Sequence, residues 1–249
     1  MYYRYETHCH GSQCSACGAS TTQEIVRAFH AEGYAGMILT DHFIRGNTAV
    51  DRSLPWDTKM HLFYNAYLEA KTVGDELDFD VIFGIEDGFG GGKEVLLYNI
   101  DLDFLLANPD MCEIPLEELV DRVHAHGGLV VQAHPYRNRG YINMSIPPRD
   151  DIVDGFEVYN ANNRSPEENI QAFRLAQEKG LLMTSGGDVH SIKDHGLTMA
   201  GMAFPYRVRN GKEFVDALKQ GDGRCIINGR VADPLSEESL QELEWKHYE

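Results

Sequence analysis

Two histidines one residue apart, His8 and His10 in THCH, begin a series of imidazole and carboxylate side chains that recurs along the sequence. Asp41 and His42 follow in LTDHF, Glu86 in GIE, His134 in QAHP, and Asp188 and His190 in GGDVHS. Imidazole together with carboxylate is the donor set of zinc, manganese and iron. An HxH pair on an extended segment turns both rings to one side, because side chains there alternate with period two. A carboxylate shared by two cations holds them close enough to share a hydroxide, which is a nucleophile at neutral pH. One isolated histidine beside a strand reads as a hydrogen-bonded core residue, whereas this recurrence reads as a cluster.

The opening segment also carries Cys9, Cys14 and Cys17. Three readings of CSAC stay open: a structural zinc completed by Cys9 or His10, a redox pair ahead of a helix, or small residues in a loop beside the site. Cys9 alternates away from the two histidines and is expected to be buried. The HAH at 124–126 falls at a helix end, where the rings diverge and face the negative end of the helix dipole. GFGGGKE at 88–94 lacks the phosphate-loop pattern and a following helix, so it reads as a flexible rim turn.

Short apolar runs alternate with amphipathic stretches and would position these groups. YRYETH, AGMILT, FDVIFG, EVLLYNID, LVVQAH, GFEVYN, LLMTSG and MAFP read as strands, and a short CIING follows. TTQEIVRAFHAEG is a helix that Ser20 or Thr21 can cap and Gly33 can end. WDTKMHLFYNAYLEAKTVGDEL, PLEELVDRVHAHGG, SPEENIQAFRLAQEKG (capped by Ser165 and stopped by Gly180) and NGKEFVDALKQG read as further helices. Strands of this length alternating with helices predict a parallel sheet with helical crossovers. About seven such units favour a closed α/β barrel, a distorted (β/α)7 TIM-like barrel, with active groups at the carboxyl ends of the strands. A single domain over 1–249 is expected, its tail at 234–249 forming a surface helix.

The ordered motifs THCH, LTDHF, GIE, QAHP and GGDVHS resemble those of the PHP (polymerase and histidinol phosphatase) family over residues 3–195. The resemblance implies a metal-dependent phosphoesterase, one to three divalent ions (Mn, Fe or Zn) and a small phosphorylated substrate. It implies His8, His10, Glu86 and Asp188 as ligands of the first metal, Glu86 and His134 for the second, and His42 and His190 for a third. Glu86, Asp188 and Arg137 would then be the catalytic groups. Asp41 is a candidate to orient His42. Arg45 and Arg137 could hold a substrate anion, and Tyr159 and Asn160 end a strand on the active face. Lys93, Arg139 and Lys193 are weaker candidates for the same role. Two departures stand out. Ser15 occupies the position of an expected acid, and the strand after Glu86 lacks an expected histidine, offering Leu96. The thiols of Cys14 and Cys17 and the rings of His61 and His195 are possible substitutes. The same site could instead cleave an amide or cyclic C–N bond, or the fold could be a non-catalytic metal- or ligand-binding domain.

The 249-residue chain has a formal net charge of −17 and five cysteines. An odd, crowded cysteine set does not read as a secreted disulfide framework, and MYYRYETH does not read as a signal peptide. No apolar run approaches the roughly 20 residues needed to span a bilayer. A cytoplasmic protein with no membrane partner is expected. The negative charge repels phosphate backbones, so nucleic acid is not expected as a partner. Oligomeric state is not readable.

Overall fold

β1 (Tyr3–Cys9), the strand that ends in the HxH pair, lies inside the sheet, between β2 (Gly36–Leu39) and β8 (Ala200–Phe204). The computed structural model describes residues 2–241. Among them, ten strands form one curled sheet in the order β10-β9-β8-β1-β2-β3-β4-β5-β6-β7. The remaining strands are β3 (Asp80–Gly90), β4 (Lys93–Tyr98), β5 (Leu129–Gln132), β6 (Gly155–Asn160), β7 (Leu182–Gly186), β9 (Arg224–Ile227) and β10 (Arg230–Val231). The sheet curls back on itself. Just past β7, Val189 pairs with Cys9, and His10 N donates to the Val189 carbonyl at 2.8 Å. The Ser185 hydroxyl fastens the same seam by donating to Ile226 O at 2.7 Å.

The curled sheet is consistent with the expected distorted barrel, but it is mixed, which corrects the expectation of parallel strands with helical crossovers throughout. Parallel pairing holds for β1–β2, β2–β3, β5–β6 and β6–β7. β3–β4 and β4–β5 are antiparallel, as are β1–β8, β8–β9 and β9–β10. The physical cause of the first reversal is GFGGGKE. Gly90, Gly91 and Gly92 have φ of 125°, 58° and 74°, which turn the chain tightly so that Lys93 pairs with Gly90; such positive values are open to glycine at no steric cost. The segment is a hairpin rather than a flexible loop.

The helices follow their sequence signals. α1 (Thr22–Ala31) starts in a capping box between Thr21 and Glu24. α2 (Trp56–Leu77) covers the predicted stretch. α4 (Leu116–Ala125) begins after Pro115, and α5 (Pro166–Lys179) is capped by Ser165 and ended by Gly180 at φ 66°. α6 (Gly211–Lys219) is capped by Asn210. The short α3 (Leu102–Ala107), capped by Asp101, had no counterpart in the sequence reading. Of the expected surface helix at 234–249, α7 (Glu237–Gln241) is described and 242–249 lie outside the described residues. No described helix is long and apolar enough to cross a membrane.

The apolar faces of these elements form one large core, including Ile38, Leu97, Val130, Phe156 and Phe214, and a smaller one around Phe29, Met37 and Val81. The buried polar groups gather at the mouth of the curl.

Candidate metal centre

The mouth collects the side chains that the strand ends deliver. His8 Nε2 lies 3.2 Å from Glu86 Oε1 and 3.6 Å from Asp188 Oδ1. His10 Nε2 lies 3.5 Å from Glu86 Oε2 and 3.3 Å from Asp188 Oδ1. All four side chains are buried, and His8 Nε2, His10 Nε2 and Glu86 Oε2 make no hydrogen bond. A buried polar atom without a partner costs about 1–3 kcal/mol, and here several face one space. A cation between them would satisfy all of them, so the residues fit a metal ion.

Two further groups share Glu86 or His10. His134 Nε2 is 3.1 Å from Glu86 Oε1 and 3.6 Å from Glu94 Oε2. His42 Nδ1 is 2.7 Å from Glu86 Oε2 and 3.5 Å from Glu94 Oε1. The rings of His42 and His190 stack on His10 at 4.2 and 4.4 Å between centroids. Each of the sets His8–His10–Asp188, His8–Glu86–His134, His42–Glu86–Glu94 and His10–His42–His190 brings its ligand atoms within 4.8 Å of one another.

The backbone is shaped to present these groups. His134 and Asp188 take φ of 31° and 53°, in the left-handed region that a side chain occupies at a cost of order 1–3 kcal/mol. Gly186 lies beneath them. A Cβ there would meet Glu157 Oε1 at 2.4 Å and His8 Cβ at 2.5 Å, so only glycine lets β7 approach so closely. Glu6 Oε1 accepts from the backbone of Thr7, His8 and Gly187, tying β1 to the GGD turn.

Outer contacts set the rings. His8 Nδ1 lies 2.9 Å from Glu157 Oε1, an oxygen that only accepts, so Nδ1 is the donor and Nε2 faces the centre. Glu157 Oε2 accepts from His134 N and Asn160 Nδ2. Ser15, at the position of the expected acid, donates to Asp41 Oδ1 at 2.7 Å and accepts from His42 N at 3.0 Å. Asp41 also accepts from Gly11 N, so it anchors the loop and is linked by hydrogen bonds to His42 through Ser15.

Electrostatics match the geometry. Burial opposes ionisation of Glu86 and Asp188, but His8 and His42 around the first, and Arg137 and His8 around the second, hold both well below the carboxylate range. Burial, and then the charge of Glu86, push Glu94 up to about 8. The mouth thus has more carboxylate than its own cations can keep ionised.

Several expected substrate contacts are placed differently. Arg45 gives Nε and Nη2 to Asp87 at 3.1 and 2.6 Å and is consumed there. Tyr159 is buried and donates to Asn228 Oδ1, away from the mouth. Asn160 is buried and holds Glu157 and Arg137 instead of facing an open site. Arg137 is itself buried, with Nη2 2.6 Å from Asp188 Oδ2 and 2.7 Å from Asn160 Oδ1. It clamps the outer oxygen of Asp188, leaving Oδ1 to the histidines. Lys93 donates to the Pro135 carbonyl, and Arg139 pairs with Glu168 at 3.0 Å. His61 hydrogen-bonds Asp57 O on α2, Cys14 is buried against Leu62 O, and the His195 side chain lies outside what the structure describes. His124 and His126 face Asp154 and Asp101, far in function from the centre.

Three further acids, Glu94, Glu157 and Glu6, take part in the mouth. β4 contributes Glu94 to the mouth in place of the histidine expected near Leu96, and Leu96 is buried in the core. Glu157 and Glu6 are acids inside buried strands, β6 and β1, and a buried acid marks a partnered charge. A pocket of about 420 Å³ opens above the centre, lined among others by Cys17, Glu94, Arg137, Arg139, Arg164 and His190. Replacing Glu157 with glutamine is expected to weaken metal binding about 10–100-fold, the usual cost of losing an outer carboxylate. Competition against a chromophoric chelator would measure it.

No protein-family model matches the chain. An uncharacterized protein of Methanocaldococcus jannaschii, MJ0417, is 32% identical over 94 residues, covering 34% of this chain and 40% of that protein. Among solved structures, the fold is similar to a two-domain protein from Bacteroides vulgatus containing a predicted PHP-like metal-dependent phosphoesterase, at 14% identity and a TM-score of 0.66, over 92% of this chain and 65% of that one. It is also similar to the lesion-specific endonuclease PfuEndoQ of Pyrococcus furiosus, at 14% identity and a TM-score of 0.62, over 92% of this chain and 58% of that one. Endonuclease Q in complex with a 27-mer duplex substrate, an abasic lesion at its active site, matches at 13% identity and a TM-score of 0.59, over 88% of this chain and 57% of that one. The chain therefore spans less than two thirds of each of these proteins, and at these identities the structural likeness is one of fold.

The last comparison corrects the expectation that nucleic acid is excluded. This fold accommodates a DNA duplex in endonuclease Q. Net charge averages over the whole molecule and does not describe the pocket, where both arginines and acids stand.

Proposed function

We propose that this chain is a metal-dependent hydrolase of phosphate esters, working at the mouth cluster. The observation that carries the reading is Glu86. It faces His8, His10, His42 and His134 at once, with Oε2 buried and unbonded. Divalent ions held there would supply a nucleophile at neutral pH and offset charge on the phosphoryl oxygens.

The protein's own groups have distinct roles. His8, His10, Glu86 and Asp188 hold one ion, and Glu86, His134 and Glu94 a second. Arg137 is a positioning residue that fixes Asp188. Arg164, whose guanidinium has no hydrogen bond or ion pair among the described residues, stands at the pocket with Arg139 and can receive the substrate anion. The pocket volume of about 420 Å³ suits a small phosphorylated molecule. A second reading, a nucleic-acid strand carrying a lesion, is favoured by the likeness to endonuclease Q.

The test uses chelated protein reloaded with manganese, zinc or iron. It is offered a phosphomonoester, a phosphodiester, an abasic duplex and an amide. Phosphate-ester turnover that appears only on reloading, and disappears in Asp188→Ala, is the expected result. Metal-dependent cleavage of the amide alone would overturn the phosphoesterase reading, and cleavage of the duplex alone would select the second one.

A further inference from the structure

Resting on the metal-site reading above, we infer that Ser15 is a positioning residue. Held by Asp41, it fixes the His10 ring so that Nε2 faces the ion shared with His8, Glu86 and Asp188. A serine hydroxyl has one proton to give and two lone pairs with which to accept. Ser15 Oγ meets Asp41 Oδ1 at 2.7 Å, the His42 backbone nitrogen at 3.0 Å and His10 Nδ1 at 3.3 Å. The His42 N–H only donates, so it takes one lone pair. Asp41 Oδ1 is already an acceptor, receiving Gly11 N at 2.7 Å. The short contact to a carboxylate is the stronger kind and takes the serine proton. What Oγ has left for His10 is a lone pair. His10 Nδ1 therefore carries the hydrogen, and Nε2 keeps its lone pair for a cation.

Nε2 is the nitrogen turned to the centre. It lies 3.3 Å from Asp188 Oδ1 and 3.5 Å from Glu86 Oε2, buried and without a hydrogen bond. Glu157 sets His8 directly, whereas the carboxylate that sets His10 acts one step removed, through a hydroxyl. The serine itself is locked in place. It is buried, its nitrogen donates to Gly11 O, its carbonyl accepts from Gly18 N, and it bridges to Thr48. Gly18 packs so closely on Gly11 that a Cβ would meet the Gly11 carbonyl carbon at 2.7 Å, which closes the turn that returns Ser15 to the His10 ring. A ring nitrogen with one lone pair binds one ion. His10 belongs both to the set with His8 and Asp188 and to the set with His42 and His190. With Nδ1 tied to Ser15 it serves one of them, and the carboxylates facing Nε2 make that the first.

Histidine nitrogen-15 NMR of the full-length, zinc-loaded protein reads this arrangement, the His10 signals being assigned by their absence from His10→Gln. Wild type should show His10 with hydrogen on Nδ1 and zinc on Nε2. In Ser15→Ala the Nδ1 hydrogen loses its acceptor. Its resonance should move upfield and exchange faster with water, and chelator competition should find zinc held about 10–100-fold more weakly. A wild-type His10 with hydrogen on Nε2 overturns the assignment, even where Ser15→Ala does not fold. So does a Ser15→Ala protein in which either the resonance or the zinc affinity is unchanged. Both results leave the phosphoesterase reading standing, whereas a wild type that binds no zinc overturns that reading as well.

Discussion

Exchanging Glu86 for glutamine should strip the mouth of its ions while leaving the fold in place. Glutamine keeps the length of the side chain and a carbonyl oxygen for His134, so circular dichroism should not change. What is lost is the negative charge that four imidazoles now surround. Loss of an outer partner costs roughly 10–100-fold in metal affinity. Loss of a carboxylate shared by two ions should exceed that. Turnover should fall by at least about 10²–10³, the scale of removing one group that stabilises transition-state charge. Metal content by plasma emission, with single-turnover rates, would check both. Undiminished metal content in Glu86→Gln would remove this residue from the centre.

Removing the ions should also destabilise the protein, and more so in alkali. Without metal, burial holds Glu6 and Glu94 at about 8, against an ordinary 4.5. Against the opposing effect of burial, Glu86 draws His42 up to about 11 and Cys17 draws His190 up to about 9. Each of these groups binds its proton more tightly folded than unfolded. Each therefore contributes stability that fades as pH rises, the acids between about 4.5 and 8 and the imidazoles between about 6.5 and their raised values. His10 and His134, lowered chiefly by burial, work in the opposite sense, and so does Cys17, which burial pushes up but hydrogen bonds with His190 and His42 bring down to about 6. The metal-free protein should thus melt lower at about pH 8.5 than at about pH 6. Bound cations replace those protons. An ion at 100 times its dissociation constant adds about 2.7 kcal/mol, which for a chain of this size raises the melting temperature by roughly 5–10 °C. Calorimetry of chelated and reloaded protein should show that gap at alkaline pH and a narrower one in mild acid. Equal melting curves at both pH values would contradict the account.

The helices and the recurring imidazoles and carboxylates of the mouth were readable because each rests on local signals. α2 spans the stretch its periodicity predicts, and α5 begins at Ser165 and ends at Gly180. His8, His10, Glu86, His134 and Asp188 meet because strand ends converge, a consequence of layer architecture and not of any single motif. Glu94 was missed for a definite reason. Reading β4 as parallel puts its end at the mouth, but the glycine hairpin reverses it and brings its start there instead. Glu86 itself lies within β3, four residues before its end, because that strand runs on into the hairpin. Arg45 and Tyr159 were misplaced because sequence does not say which carboxylate a guanidinium will meet or which way a strand-end phenol will turn. Asp87 and Asn228 decide those outcomes.

The interior position of β1 has a further consequence for how the chain is made. Tyr3, Arg4 and Tyr5 pair on one side with Phe204, Ala203 and Met202, about two hundred residues downstream, while Tyr5 and Glu6 face Gly36 and Met37 on the other. As the polypeptide leaves the ribosome, β1 soon gains one neighbour and then waits through the synthesis of some two hundred further residues for the second. Asp188 emerges almost as late. A nascent chain halted before Asp188 would therefore carry His8 and His10 on an unpaired strand edge, with one of the two carboxylates that face both rings still missing.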